Sequence, residues 1–320
     1  MSDSVLVSVI VMSYNQEQFI EQAVSSILMQ RTNFPYEILV GDDASIDGTP
    51  EILKSLQRKY PEKIRLFLRE HNLGATRNAY ELSMRAGGAY IAVCEGDDYW
   101  TSKDKLQTQV DFLEKNPSFI GCSHDYVAVD QNGAPLRRQR LRWISGKSRY
   151  TLKDFQGVML PGQAATIVKR NIYADRSQDY SICYKAHRQI SDRTVILICA
   201  AKGDFYHFKE KMSCYRRYKK SGNLTAAMYN SSLENMRREL AYTRTLENYA
   251  ASVLKVDAGF RAHRKELFVS AVLHYLKTGV KGWRCLAWEI LELENRKWEF
   301  FLCIPMICVK KIYYWLFYLD

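Results

Sequence analysis

Glu95, Asp97 and Asp98 are the residues of this chain best placed to do chemistry: three carboxylates around one glycine, Gly96, followed by Tyr99 and Trp100. Like charges this close disfavour the ionised state unless a proton or a cation offsets them. Hard oxygen ligands select Mg²⁺ or Mn²⁺, ions that bind through one or two carboxylates plus the phosphates of a substrate. The spacing therefore predicts a metal–diphosphate site; the plain alternative is a solvated acidic turn. Residues 90–94 ahead of it are apolar and read as a buried strand. The ends of such strands are where open α/β sheets bind ligands.

Three other polar clusters follow apolar runs in the same way. Ser13-Tyr14-Asn15 follows the run 5–12, which has the pattern of a strand buried on both faces. Asp42, Asp43 and Asp47 follow a strand at 36–40, and the loop 70–74 follows a strand at 64–68. Between these strands the apolar residues take helical spacing: Ile20, Ala23, Val24, Ile27 and Leu28, then Ile52, Leu53 and Leu56, then Ala75, Ala79 and Leu82. Asn15 with Gln18 is expected to cap the first helix, and Thr49 with Pro50 the second. The alternation predicts an α/β fold, a parallel sheet with helices on both faces. All four clusters then share the C-terminal edge of that sheet, and this convergence says more than any single motif.

Further on, residues 105–115 read as a helix and 119–122 and 126–129 as short strands around the turn Asp130-Gln131-Asn132-Gly133. Residues 163–168 read as a strand, 190–201 as an apolar helix opened by Ser191-Asp192-Arg193, and 205–208 as a short strand. Arg137, Arg138, Arg140, Arg142, Lys147 and Arg149 form a basic loop expected to act as a lid near the site. A second basic loop, 215–222, holds Arg216, Arg217, Lys219 and Lys220. From residue 224 the pattern turns helical, at 233–253, 258–277 and 282–293. The tail 300–319 is apolar and aromatic, interrupted by Pro305 and Lys310-Lys311, and too short in its unbroken run for a spanning helix. It suits a membrane interface, packing against the rest of the chain, or a single span with snorkelling lysines.

The 320 residues carry a formal charge of +11, with 47% apolar and 25% charged residues, ordinary for a globular chain with a sizeable core. Basic patches suit phosphates, anionic lipid or nucleic acid; the acidic strand ends speak against nucleic acid. The eight cysteines show no zinc spacing and read as buried, reduced thiols of a cytoplasmic protein. The N-terminus lacks the features of a signal peptide.

Four ordered motifs resemble family 2 glycosyltransferases: Val9-Ile10-Val11-Met12-Ser13-Tyr14-Asn15; residues 40–49 with Gly41-Asp42-Asp43-Ala44-Ser45; Asn72-Leu73-Gly74 with Arg77-Asn78; and Cys94-Glu95-Gly96-Asp97-Asp98-Tyr99-Trp100 followed by Lys105-Leu106-Gln107. The form of the fourth is similar to a subgroup from bacterial surface-polysaccharide and lipopolysaccharide clusters. The resemblance implies a GT-A fold with a catalytic domain over residues 1–222, its donor half at about 1–130 and its acceptor half at about 131–222. A helical C-terminal region over 223–320 would complete the chain.

It also implies a nucleotide-diphospho-sugar donor, UDP-linked by default. Asp42 or Asp43 would contact base or ribose, with Ser13, Tyr14, Asn15 and Arg77 around the nucleotide. Tyr14 would stack on the base or simply pack, and Arg77 would meet the donor or serve as a structural helix residue. Glu95 and Asp97 stand at the acidic positions of the family's Asp-x-Asp motif. Asp97 is then the metal ligand for Mn²⁺ or Mg²⁺, Glu95 a ribose or outer contact, and Asp98 a support or donor-sugar contact. Asp192 fits the family's catalytic base, or else a helix cap. Where relatives have Tyr-Arg-x-His this chain has Tyr215-Arg216-Arg217-Tyr218, so Arg216 and Arg217 are expected to neutralise the diphosphate.

The reading is an inverting, metal-dependent glycosyltransferase working on a saccharide or lipid-linked saccharide acceptor, peripheral on the cytoplasmic face of the inner membrane. Apolar surface on the helical part suits a homodimer. A sugar-nucleotide pyrophosphorylase would need a Gly-rich basic loop after the first strand, where Ser13-Tyr14-Asn15 stands instead. The alternative of another class is a non-catalytic sugar-nucleotide-binding or scaffold protein of the same fold.

Overall fold

The computed structural model describes residues 5–139, 141, 143–218 and 232–318. The chain folds as two compact units. The first comprises Met1–Leu136, Ile144–Leu152 and Leu160–Arg217; the second comprises Arg137–Trp143, Lys153–Met159 and Tyr218–Asp320. The domain boundary expected at residue 222 lies outside the described residues, as do Arg140, Arg142, Lys219 and Lys220.

In the first unit the expected alternation is present: β1 (Val7–Ser13), α1 (Ile20–Leu28), β2 (Tyr36–Asp42), α2 (Thr49–Lys59), β3 (Ile64–Leu68), α3 (Ala75–Ser83) and β4 (Tyr90–Glu95). Then come β5 (Tyr99–Trp100), α4 (Lys105–Lys115), β6 (Phe119–Val129), β7 (Arg149–Tyr150), β8 (Val168–Arg170), α6 (Ile182–Lys185), α7 (Asp192–Ala200) and β9 (Asp204–Arg216); the short α5 (Leu152–Phe155) belongs from Lys153 on to the second unit. The sheet order is β3-β2-β1-β4-β8-β6-β9-β5, with β7 pairing off β9. β3, β2, β1 and β4 run parallel, as right-handed crossovers require. β8 is antiparallel to both β4 and β6. The register sets Ser13 beside Asp42 and Met12 beside Glu95. Three of the polar clusters therefore share one edge. Val9, Val11, Ile38, Val40, Ala92 and Cys94 are buried under it.

Several local expectations are corrected. Asn15 does not cap α1: it takes φ 53° and its Oδ1 accepts the Ile46 N–H at 2.9 Å, tying two loops together. The two short strands around residue 124 form one strand, β6, bent by register shifts at His124 and Asp125. Its polar middle looks like a break in the sequence, but Ser123 is buried and bonds Pro161 O and His207 Nδ1, each at 2.8 Å. The stretch 163–168 is a 3₁₀ turn, Ala164–Thr166, ahead of the short β8. Tyr215 and Arg216 extend β9 and do not begin a loop. α3 buries Thr76 and Asn78 beside Leu82, because Asn78 Nδ2 donates to Gly41 O at 2.8 Å. Arg149 of the basic loop sits in β7 and is ion-paired with Asp204 at 2.6 Å.

The second unit is helical: α8 (Leu233–Tyr249) with a π turn at Ala250–Leu254, α9 (Phe260–Thr278), α10 (Lys281–Glu292), α11 (Trp298–Leu302) and α12 (Ile304–Tyr318). Its core joins Leu240, Phe268, Trp283, Leu286, Ile290 and Phe300. Arg264 and Glu294, both buried, pair at 2.6 Å.

Candidate active site

The acidic turn is set by close packing at the end of β4. Gly96 N–H donates to Met12 O of β1, and Asp98 N–H to Glu95 O, both at 3.0 Å. A Cβ on Gly96 would stand 2.1 Å from Gln16 Oε1 and 3.0 Å from Met12 O, so a side chain there would have to displace Gln16 and press on the β1 backbone.

Two residues hold the turn from either side. Gln163, buried just ahead of the 3₁₀ turn, donates from Nε2 to Glu95 Oε2 at 3.1 Å and to Asp98 Oδ2 at 2.8 Å. Its Oε1 accepts the Ala165 N–H at 2.7 Å, which fixes which end of the amide faces the acids. Arg216, the last residue of β9 and 4% exposed, gives its backbone N–H to Asp98 Oδ1 at 2.8 Å. Its guanidinium donates to the carbonyls of Asp97 (2.8 Å), Asp130 (3.3 Å) and Gln131 (2.7 Å) and to Gln22 Oε1 (2.7 Å). It also lies 4.5 Å from the Phe19 ring centre. The guanidinium expected to face a diphosphate is thus engaged with protein groups behind the turn. Arg217 follows, its N–H on Val129 O at 2.8 Å.

The electrostatics match this packing. Burial first, then the charges of Asp97 and Glu95, holds the Asp98 carboxyl well above the usual range. Burial, Asp97 and Asp192 push Glu95 up to about 8. The last cause is informative. Asp192 is the first residue of α7, with Ser191 at the N-cap position, and its Oδ1 accepts the Arg193 N–H at 2.7 Å. It is exposed at the start of α7, and its negative charge adds, after burial and Asp97, to the upward shift of Glu95.

The residues expected around the nucleotide are placed as follows. Asp42 is buried at the end of β2, takes the Ser45 N–H (3.0 Å) and Oγ–H (2.5 Å), and is raised by burial and then by Asp47 and Asp43. Asp43 is also buried; its two oxygens accept the N–H groups of Leu73 (2.7 Å) and Gly74 (2.9 Å). It therefore brackets the loop after β3, where Gly74 needs φ 89°. Asn15 N–H donates to Ser45 Oγ at 2.8 Å. Tyr14 is half exposed at the same edge. Arg77 points along α3 to Glu81 at 3.2 Å and lies 5.7 Å from the Tyr184 ring centre. Ser13 Oγ and Gln16 Oε1 are buried without a hydrogen-bond partner.

Among the described residues no three His, Cys, Asp or Glu side chains form a ready-made metal cage. The donor set still fits a cation completed by substrate: Asp97 is half-buried at the turn, and Mg²⁺ or Mn²⁺ usually takes few protein carboxylates. Lys105, beneath the turn, is fully buried with Nζ 2.7 Å from Gln109 Oε1 and 4.2 Å from the Trp100 ring centre. Burial lowers it to about 7. Sequence reasoning missed Gln163, Gln22 and Lys105 as parts of the site. An amide alone in the apolar stretch Pro161-Gly162-Gln163-Ala164-Ala165 was the available signal for the first.

Residues 8–176 match the sequence model described as glycosyl transferase family 2. The chain belongs to this family. It is 39% identical over 132 residues to the putative teichuronic acid biosynthesis glycosyltransferase TuaG of Bacillus subtilis, covering 41% of this chain and 50% of that one. The chain spans 37% to 50% of the length of such relatives. Its fold is that of S. aureus TarS, solved with UDP-GlcNAc (TM-score 0.54, 16% identity, 88% of this chain and 90% of that one). The fold is shared too with the mannosyltransferase PcManGT of Pyrobaculum calidifontis, solved with GDP-Man and Mn²⁺ (TM-score 0.52, 15% identity, 97% and 87%). The expected GT-A architecture, with helices following it, is thus present in a family 2 chain.

Proposed function

We propose that this family 2 chain is an inverting glycosyltransferase. It moves a sugar from a nucleotide-diphospho-sugar, UDP-linked, to a saccharide or lipid-linked saccharide in bacterial surface-polysaccharide synthesis. The observation that carries the reading is the strand register, which sets Ser13 beside Asp42 and Met12 beside Glu95 and so brings the acids of a family 2 chain to one sheet edge. A general base must face the donor's anomeric carbon across the acceptor hydroxyl, and we assign that role to Asp192, an exposed carboxylate at the start of α7. Asp192 takes the hydroxyl proton as the acceptor oxygen bonds to the anomeric carbon and the bond to the nucleotide diphosphate breaks. A divalent cation held by Asp97 would supply positive charge to the departing diphosphate. Asp42, Ser13 and Tyr14 bind the nucleotide, and Asp98 with Glu95 bounds the sugar side. Arg216 and Gln163 position the turn. The acceptor places the enzyme at the cytoplasmic face of the membrane.

The test is binding and slow hydrolysis of a panel of nucleotide sugars with and without Mn²⁺ or Mg²⁺. Wild type should bind and cleave a UDP-sugar only with metal. Asp97→Ala should lose metal-dependent binding, and Asp192→Asn should keep binding and lose turnover. Binding without any hydrolysis would favour a non-catalytic sugar-nucleotide binder, the reading to which Tyr218 in the family's histidine position lends itself. No binding at all would refute the donor site.

A further inference from the structure

α3 begins without a side-chain cap, because Gly74 stands at its N-cap position. The first N–H groups of a helix need an acceptor from outside it. For Thr76, the second residue of α3, that acceptor is Arg188 O, 112 residues away in the chain. Arg188 O takes the Thr76 Oγ–H at 3.0 Å and the Thr76 N–H at 3.4 Å. Thr76 is buried, and the approach is close: a Cβ on Gly74 would meet Arg188 Cγ at 3.0 Å and Arg188 O at 3.2 Å. The loop beneath Arg188 is itself held, since Asp43 accepts the N–H groups of Leu73 and Gly74. On the other side, three residues separate Arg188 from Asp192, and they have little slack. His187 Nδ1 accepts the N–H groups of Gln189 at 3.0 Å and Ile190 at 3.1 Å, Ile190 is buried, and Ser191 O takes the Val195 N–H at 2.9 Å.

We infer that Thr76 is a positioning residue for Asp192. Its hydroxyl ties the segment that carries the base to the loop that Asp43 holds, and so sets where α7 begins. The inference rests on the proposed role of Asp192 as general base. Thr76 acts through the backbone between Arg188 and Asp192, not on the substrate. A displacement of about 1 Å in a catalytic group lowers turnover, and a group that acts only in the transition state leaves donor binding as it was. Valine has nearly the shape of threonine but no O–H, so Thr76→Val leaves Arg188 O with the longer N–H bond alone. Tyr80 of α3 still packs on Tyr184, with ring centres 4.9 Å apart, so the segment should stay docked but less exactly placed.

The experiment uses the full chain with Mn²⁺. It measures hydrolysis of whichever of UDP-glucose, UDP-galactose and UDP-N-acetylglucosamine wild type cleaves fastest, and calorimetric binding of UDP. The proteins are wild type, Thr76→Val, Thr76→Ala, Thr76→Ser and Asp192→Asn. Thr76→Val should lower kcat about ten- to a hundredfold and leave the Kd for UDP within about twofold. Thr76→Ala, smaller and also without a donor, should do the same and decides the matter if Thr76→Val fails to fold. Thr76→Ser keeps the donor and should return kcat to within about threefold of wild type. Unchanged turnover in Thr76→Val and Thr76→Ala, with Asp192→Asn inactive, overturns this inference alone. A matching loss of UDP binding also overturns it, because Thr76 would then serve the donor loop; so does failure of Thr76→Ser to restore turnover. Full turnover in Asp192→Asn, or no hydrolysis by wild type, removes the base reading and this inference with it.

Discussion

Replacing Arg216 tests whether this arginine serves the site by position or by direct charge. Its guanidinium makes four hydrogen bonds, to three backbone carbonyls and to Gln22 Oε1, from a site 4% exposed. At about 1 kcal/mol net for each, Arg216→Met should cost ~4 kcal/mol, more if the carbonyls stay dry and less if water reaches them. With the turn no longer held, metal-dependent UDP binding should weaken by about ten- to a hundredfold, as when the outer partners of a metal site are lost. Arg216→Lys separates the two roles. A lysine keeps the charge but has three donors on a flexible stem and cannot span the same acceptors. It should recover less than about half of the lost stability and little of the affinity. Denaturant midpoints and calorimetric UDP titrations with Mn²⁺ on all three proteins decide it. If lysine restores both quantities to wild type, a point charge suffices and the positioning argument is wrong. If Arg216→Met weakens UDP binding with no loss of stability, the guanidinium meets the diphosphate directly.

Two further outcomes follow from buried groups. Gln163→Met, close in volume, leaves Glu95 Oε2 and Asp98 Oδ2 without their shared donor. It should destabilise by about 2–4 kcal/mol and weaken metal-dependent donor binding about tenfold; unaltered donor affinity would remove Gln163 from the site. Lys105 is lowered to about 7 by burial, below its unfolded value of about 10.4. Between these values the unfolded chain binds more protons, so this group's contribution to stability rises with pH. Below the folded value the cost of burying the charge is fully present. Lys105→Met removes that cost, so relative to wild type it should be more favourable at about pH 6 than at about pH 8.5. Equal differences in denaturant midpoint at the two pH values would refute the argument.

Much of this was legible in the sequence because it is local. Apolar runs such as 5–12 and 90–94 can be buried only as strands between helices, and their order dictates a parallel sheet with Ser13, Asp42 and Glu95 at one edge. The errors arose where a polar side chain found a distant partner. Asn15 reads as a helix cap but bonds across to Ile46; Ser123 and His124 read as a strand break but are buried inside one strand. Arg216 reads as a loop cation available to phosphate, yet as the last residue of β9 it is carried under the turn at Asp97 and Asp98. By itself, then, the sequence determined the strand–helix order and the sheet edge that gathers Ser13, Asp42 and Glu95. The tertiary structure alone decided what each polar group bonds. Hydrogen-bond partners such as Gln163 with Glu95 and Asp98, or Arg216 with Gln22, are separated by long stretches of chain, and no local spacing encodes them.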